Sequence, residues 1–197
     1  MFQLAGFSQA HLLVNETDPD LKNGVCVALC DHWLNDIKAR SNDAPVDRLS
    51  RLAGTYPSVA QYQKQYGQER AQHGPEKARR DMGKQLGHDF QQHTTILPAL
   101  IGATGIRQRL AADLSGLGVG ATWSLRFMDG TGHAIAGFYG MVSVTENMHR
   151  ISLHVFDPNI GEYSGTQGDL ETMIGDLLTR FPEYQALTEI RRTTDRG

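Results

Sequence analysis

The first half of the chain places hydrophobic residues at helical spacing. The hydrophobic positions that follow the Asn23-Gly24 turn signal recur every four residues: Val25, Leu29, Trp33 and Ile37. Polar residues lie between them, which is typical of an amphipathic helix and predicts one over residues 25–40. Similar patterns predict further helices over residues 46–53, 58–66, 76–92 and 106–114.

The second half of the chain changes to alternating hydrophobic and polar positions. After a glycine-rich turn at residues 116–120, this alternation predicts strands over residues 121–128, 133–144 and 151–156. Turn signals at residues 129–132 and at Glu146-Asn147 connect the strands into an antiparallel meander. A helical pattern returns over residues 169–180, and residues 187–193 form a last strand or a frayed helix. Helices first and strands second predict the α+β class.

Length and composition predict one domain. A chain of 197 residues with 40% hydrophobic residues can bury one substantial core. We expect one domain over residues 1–197, with a helical part at about 24–115, a sheet part at about 120–165 and a C-terminal helix at about 168–181.

Charge and hydropathy exclude several partners. A net charge of −3 gives no basic surface for nucleic acid, so no nucleic-acid partner is expected. The sequence has neither an apolar run long enough to span a membrane nor a signal peptide, so we expect a soluble chain without an integral membrane segment. The sequence leaves the oligomeric state open.

Three residues of catalytic type fall at the ends of predicted elements. Cys26 lies in the first turn of the first helix, His133 opens a strand, and Asp157 closes the next strand. A thiol nucleophile, an imidazole base and a carboxylate that orients the base form the general arrangement of a cysteine hydrolase. The free N–H groups and the dipole at a helix N-terminus favour negative charge, so Cys26 is the predicted nucleophile. Cys30, one turn further along, is interpreted as a packing residue.

The predicted hairpin brings His133 and Asp157 together. Their sequence midpoint is residue 145, beside the predicted turn. Antiparallel pairing about that midpoint places the two residues opposite each other on one face of the sheet. The same register pairs Ile135 with Val155 and Tyr139 with Ile151.

Neither a metal nor a cofactor is expected. The spacing of Cys26, Cys30 and His32 matches no common zinc pattern, and the chain has no HExxH helix. Two cysteines one helical turn apart have poor geometry for a disulfide, which favours a reducing compartment.

Three motifs, taken in order, carry a family resemblance. They are the GxCxxLxxxW pattern at residues 24–33, the Gly-His-Ala-Ile-Ala segment at residues 132–136, and the Phe-Asp-Pro-Asn-x-Gly-Glu-Tyr segment at residues 156–163. In this combination the chain resembles the YopT and AvrPphB family of bacterial effector cysteine proteases, which have a papain-like fold. The resemblance implies a helical lobe carrying Cys26, packed on an antiparallel sheet carrying His133 and Asp157, with the substrate cleft between them.

The resemblance also implies an activity. Cys26, His133 and Asp157 would form a catalytic triad. The Cys26 backbone N–H at the helix start is the expected first donor of the oxyanion hole. The family places a second, side-chain donor shortly before the cysteine, for which Asn23 is the candidate, with Asn15 and residues 18–20 as alternatives. The substrate would be a protein or peptide of a host or target cell, reached through a specialised bacterial secretion system, and the enzyme would also process its own precursor. Two other interpretations stay open: an amidase, transglutaminase or acyltransferase that uses the same three residues, and a non-catalytic binding module of the same fold.

Overall fold

The computed structural model describes residues 1–145 and 148–196. Its helices are α1 (Gln9–Leu12), α2 (Cys26–Ala39), α3 (Pro45–Gly54), α4 (Tyr56–His73), α5 (Pro75–Gln85), α6 (Pro98–Asp113) and α7 (Leu170–Thr179). Its strands are β1 (Gln3–Gly6), β2 (Phe90–Gln92), β3 (Gly120–Phe127), β4 (Gly132–Thr145), β5 (Met148–Asp157), β6 (Gly161–Gly165) and β7 (Leu187–Asp195). Short 3₁₀ helices, Gln167–Asp169 and Pro182–Ala186, flank α7. None of the helices in these ranges is both long and apolar enough to cross a membrane.

The α+β prediction is confirmed. Within the described residues the strands form one antiparallel sheet in the order β1-β6-β5-β4-β3-β7-β2. Helices α2 to α5 contribute to a hydrophobic core on one face of the sheet, whereas α6 and α7 contribute to a second core on the opposite face. The turn predicted at Glu146 and Asn147 lies outside the described residues.

The structure corrects one predicted helix and shows which of two alternatives the C-terminal segment adopts. The helix predicted over residues 76–92 is wrong in its second half, because α5 ends at Gln85 and residues 90–92 form β2. The Phe90 ring is buried against His88 and beneath the Arg79 guanidinium, which lies 4.4 Å from the ring centroid. This packing and the pairing of β2 with β7 outweigh the helical propensity of the polar segment. Residues 187–193 belong to a strand, not to a helix.

A buried carboxylate joins the helical layer to the sheet. The Trp33 indole N–H donates a 2.8 Å hydrogen bond to Glu162, and the Arg48 guanidinium donates to both Glu162 oxygens at 3.1 and 3.3 Å. His154 contacts the same carboxylate at 2.8 Å, and the Trp33 ring stacks on Phe156. Burial alone would raise the pKa of Glu162, but its hydrogen bond to His154 and the other partners hold that pKa below its usual value. Two residues of the recognised motifs, Trp33 and Glu162, therefore fix how the layers meet.

Two glycines permit close approaches that a side chain would block. Gly161 has φ 131°, and a Cβ atom there would lie 1.9 Å from the Ala5 carbonyl oxygen. A Cβ atom on Gly120 would lie 2.6 Å from Leu34. Gly161 thus allows β1 to pair with β6, and Gly120 allows α2 to pack on β3.

Candidate active site

Cys26 is the first residue of α2. Gly24 precedes it with φ 110°, a conformation that glycine adopts readily, and so turns the chain into the helix. The Val25 N–H donates a 3.0 Å hydrogen bond to the Gln9 side chain, and the Ala28 N–H donates to Gln63 at 3.1 Å. The Cys26 thiol is partly exposed and sits where the helix dipole favours an anion.

Cys30 lies one turn deeper and is fully buried. Its thiol donates to the Ala134 carbonyl oxygen at 3.3 Å. Burial, with a further contribution from nearby Cys26, raises the pKa of the Cys30 thiol well above its ordinary value. Cys30 therefore behaves as a packing residue that reagents in solvent do not reach.

His133 and Asp157 are brought together at the edge of the second core. His133 Nε2 lies 2.8 Å from Asp157 Oδ1, and both side chains are buried. The Cys26 thiol lies beside the His133 ring and interacts with it electrostatically. Since Nε2 is occupied by Asp157, Nδ1 is the nitrogen that faces Cys26.

The electrostatics of this trio favour a charged imidazole. Burial of the His133 ring lowers its pKa, but the negative charge and hydrogen bond of Asp157, together with Cys26, overcome that effect and raise the pKa to about 10. At neutral pH His133 is therefore an imidazolium between two acidic groups.

The structure corrects the predicted hairpin register by two residues. Val155 pairs with Gly137 instead of Ile135, and Tyr139 pairs with Leu153 instead of Ile151. A β-bulge between Ser143 and Thr145 interrupts the ladder near the hairpin end, which a count from the sequence midpoint does not include. A shift of two preserves the face of every side chain, so His133 and Asp157 still meet, diagonally rather than directly opposite.

Comparison with known proteins identifies the family of the chain. Residues 4–188 match the family model Peptidase_C58, described as Yersinia/Haemophilus virulence surface antigen. The chain belongs to the Peptidase_C58 family. It is thus a member of a family of cysteine peptidases, as the three motifs indicated. Comparison with curated proteins gave no match.

One solved structure agrees with this family membership at the level of fold. The Pseudomonas avirulence protein AvrPphB superposes with a TM-score of 0.75 at 18% identity, covering 99% of this chain and 97% of that chain. This match confirms the papain-like fold. The cysteine protease-like domain of the Photorhabdus asymbiotica toxin PaTox gives a TM-score of 0.45 at 12% identity, covering 96% of this chain and 53% of that chain.

In this Peptidase_C58 member, cavities open on both sides of Cys26 and His133. One, of about 410 Å³, is bounded by Gln9, Asn159 and Tyr184. The other, of about 520 Å³, runs between α4 and the strands β3 and β7. Both cavities reach Cys26, His133 and Asn23, so an extended chain laid through them would pass over the thiol.

Tyr184 is a site residue that the sequence did not reveal. Its hydroxyl donates to Asp157 Oδ2 at 2.6 Å, and its ring stacks on His133 with the centroids 5.9 Å apart. Phe127 also stacks on the Tyr184 ring, with the centroids 5.7 Å apart. Tyr184 therefore orients the carboxylate and shields the His133–Asp157 contact from water.

Gln9 is a second residue that the sequence did not reveal. Its side-chain oxygen accepts from Val25 N–H, and its Nε2 donates to Asn159 Oδ1 at 2.7 Å. Asn159 in turn donates its backbone N–H to Asp157 Oδ1 at 2.8 Å. A continuous chain of hydrogen bonds thus links the start of the Cys26 helix to Asp157.

Asn23, the side chain expected in the oxyanion hole, lies three residues before Cys26. It is exposed and lines both cavities together with Cys26 and His133. Asn23 therefore borders the space in which a group bound over the thiol would lie.

Proposed function

We propose that this family member is a thiol endopeptidase in which Cys26 is the nucleophile, His133 the acid and base, and Asp157 the group that orients His133. The observation that carries the proposal is the position of His133, which contacts Asp157 through Nε2 at 2.8 Å and Cys26 through its other side. A buried carboxylate that fixes the imidazole and an imidazole that contacts a thiol at a helix start are the parts that thiol catalysis requires.

The chemistry proceeds in two stages. The Cys26 thiolate attacks the peptide carbonyl carbon, and the His133 imidazolium protonates the departing amine, which leaves a thioester on Cys26. A water molecule then attacks the thioester as His133 Nδ1 accepts its proton, and the carboxylic acid product leaves while Cys26 returns to its starting form. The raised pKa of His133 supports the first stage, because it keeps the proton donor charged at neutral pH.

The developing oxyanion needs donors at the helix start. The Cys26 backbone N–H is the first, since it belongs to the first turn of α2. The Asn23 side-chain amide is the second, supported by its place in both cavities beside the thiol.

The biological setting of the proposal rests on the family description, which is that of a virulence antigen. We infer an effector that cleaves a protein of a host or target cell after delivery by a specialised bacterial secretion system, and that also processes its own precursor.

The test of this proposal needs no known substrate. Iodoacetamide labelling across a pH series, quantified by peptide mass spectrometry, is compared for Cys26 and Cys30 in the native protein and in His133→Ala. We expect rapid labelling of Cys26 at neutral pH, much slower labelling in His133→Ala, and none at Cys30. Equal labelling of Cys26 in both proteins would overturn the proposed pair and favour a binding module.

The masses of the reaction products then distinguish hydrolysis from acyl transfer. Blocked peptides are incubated with the protein with and without an added primary amine. Products with free carboxyl ends support an endopeptidase, whereas amine-linked products or released ammonia would contradict it. We expect Cys26→Ala to abolish product formation and Cys30→Ala to leave it intact.

A further inference from the structure

The larger cavity beside Cys26 is a groove between a helix on one side and two paired strands on the other. One wall is a single stripe of α4, whose members are three and four residues apart: Gln63, Tyr66 and Arg70. The other wall consists of two cross-strand pairs of β3 and β7: Ser124 with Arg191 and Arg126 with Glu189. We call this cavity the α4 groove.

The charges of the α4 groove are unbalanced. Apart from His133 at the thiol, its cations are Arg70, Arg126 and Arg191, and its anions are Asp20 and Glu189. Arg191 Nε and Glu189 Oε1 form an ion pair at 2.5 Å. Within residues 1–145 and 148–196 no carboxylate pairs with Arg70 or Arg126. The groove therefore offers guanidinium donors to whatever it binds.

A small cavity of about 80 Å³ continues from the far end of the groove and shares Tyr66, Arg70, Ser124 and Arg191 with it. Two further arginines line this small cavity, but each is neutralised within the protein. Arg79 pairs with Asp31, and Arg192 pairs with Asp113. Within residues 1–145 and 148–196, Arg70 has no carboxylate partner, and it lies where the two cavities join, on the wall that faces Arg191. The ion pair of Arg191 with Glu189 uses Nε, so the two terminal guanidinium nitrogens of Arg191 are outside that pair. Glu76 also lines the small cavity.

Distances along α4 locate Arg70 relative to the thiol. Gln63 lies at the Cys26 end, because its side chain accepts the Ala28 N–H of α2. Arg70 is seven positions after Gln63. At about 1.5 Å per helical residue, Arg70 lies roughly 10 Å further along the groove. An extended peptide advances about 3.3 Å per residue, so roughly three residues cover that length.

We propose that the α4 groove selects polypeptides carrying Asp or Glu about three residues from the cleaved bond, with that carboxylate bound between Arg70 and Arg191. The proposal rests on the proposed peptidase function and specifies its substrate class. A guanidinium binds a carboxylate through paired hydrogen bonds, whereas a lysine or arginine at the same substrate position would meet like charge.

The first test measures cleavage. Blocked peptides that carry Glu, Gln or Lys at each position near the cleaved bond are digested, and the products are mapped by mass spectrometry. We expect kcat/KM to be highest for Glu at about the third position, and the preference for Glu over Gln to fall roughly tenfold in Arg70→Gln, the size expected for a charge-assisted hydrogen bond. Arg109→Gln, an exposed arginine of α6 outside the groove, is the matched control and keeps the preference.

A charge reversal sharpens the cleavage test. Arg70→Glu should prefer Lys over Glu at the same peptide position. An unchanged preference in Arg70→Gln and Arg70→Glu, or no preference for acidic residues in the native protein, would overturn the proposed selection.

The second test measures binding without catalysis. Cys26→Ala and Cys26→Ala/Arg70→Gln are titrated with the Glu and Gln peptides by fluorescence anisotropy. If Cys26→Ala binds the Glu peptide more tightly than the Gln peptide, and Arg70→Gln removes that difference, the proposed acidic selection by the α4 groove is supported. This result would stand even if the native protein cleaved no peptide, and only the proposed peptidase activity would then fail. Equal affinity of Cys26→Ala for the two peptides would contradict the groove even if cleavage is observed.

Discussion

The Tyr184 hydroxyl donates a 2.6 Å hydrogen bond to Asp157 Oδ2, while His133 contacts Oδ1 of the same carboxylate at 2.8 Å. The backbone N–H of Asn159 also donates to Oδ1. Asp157 is completely buried, so these three partners replace the water that its charge would otherwise bind. The orientation of His133 therefore depends on a tyrosine from the short helix after α7.

Tyr184→Phe removes that hydroxyl and keeps the ring that stacks on His133. We expect kcat to fall about tenfold with little change in KM, because the lost bond to a charged group amounts to about 1.5 kcal/mol and the hydroxyl is directed at the buried Asp157 carboxylate rather than at bound substrate. Steady-state kinetics on a cleaved peptide measure both constants. Tyr163→Phe is the matched control, since it removes a similar 2.7 Å bond to Asp176 away from the site. Equal losses in the two variants would show that the effect is merely structural.

Asp157→Asn should change the titration of His133. In the native protein the Asp157 charge helps raise the pKa of His133 to about 10, and NMR of the imidazole protons should show a midpoint near that value. In Asp157→Asn the charge is absent while burial still opposes protonation, so the midpoint moves well below 10. A midpoint near the ordinary 6.5 in the native protein would contradict the ion pair.

The raised pKa of His133 also makes the stability of the fold depend on pH. Protonated His133 is stabilised in the folded state, so this contribution is complete below about 6.5, the pKa of an unfolded histidine, and is lost as the pH rises through about 10.

Glu162→Gln should destabilise the fold strongly. It leaves Arg48, which is buried, without a carboxylate partner, at an expected cost of about 3–5 kcal/mol in the free energy of unfolding. Urea denaturation at pH 7 measures the loss. Glu171→Gln, an exposed position in α7, is the control and should change stability little. Because the pKa of Glu162 is lowered, its stabilising contribution is present above about 4.5 and disappears as the pH falls through the folded-state pKa.

Gly161→Ala should detach β1 from β6. The new Cβ atom would meet the Ala5 carbonyl oxygen, and φ 131° is strained for any L side chain, so we expect a loss of at least about 1–3 kcal/mol in the free energy of unfolding. Gly6, the direct cross-strand partner of Gly161, has open space around it. Gly6→Ala should therefore be close to neutral in the same denaturation measurement, and similar losses in both variants would contradict the steric explanation.

The sequence predicts the parts of this protein that depend on periodicity. The four-residue spacing from Val25 to Ile37 specifies α2, and the alternation after Gly120 specifies β3 and β4. The expected meeting of His133 and Asp157 survives the register error, because two residues is a full period of a strand.

The sequence does not predict contacts made by short segments across long distances. Gln9 lies in a helix of four residues and contacts Asn159, 150 positions away. Tyr184 lies in a 3₁₀ helix of five residues. Neither segment is long enough to show a hydrophobic period, so only the folded arrangement reveals what these residues touch.

The burial of Cys30 means that chemical labelling can count active sites. Cys26 and Cys30 are the two cysteines of the chain, and only Cys26 reaches solvent. An irreversible thiol reagent should therefore add one equivalent per folded molecule. The stoichiometry of that reaction counts competent molecules in a preparation, so that rates from different variants can be normalised per working site.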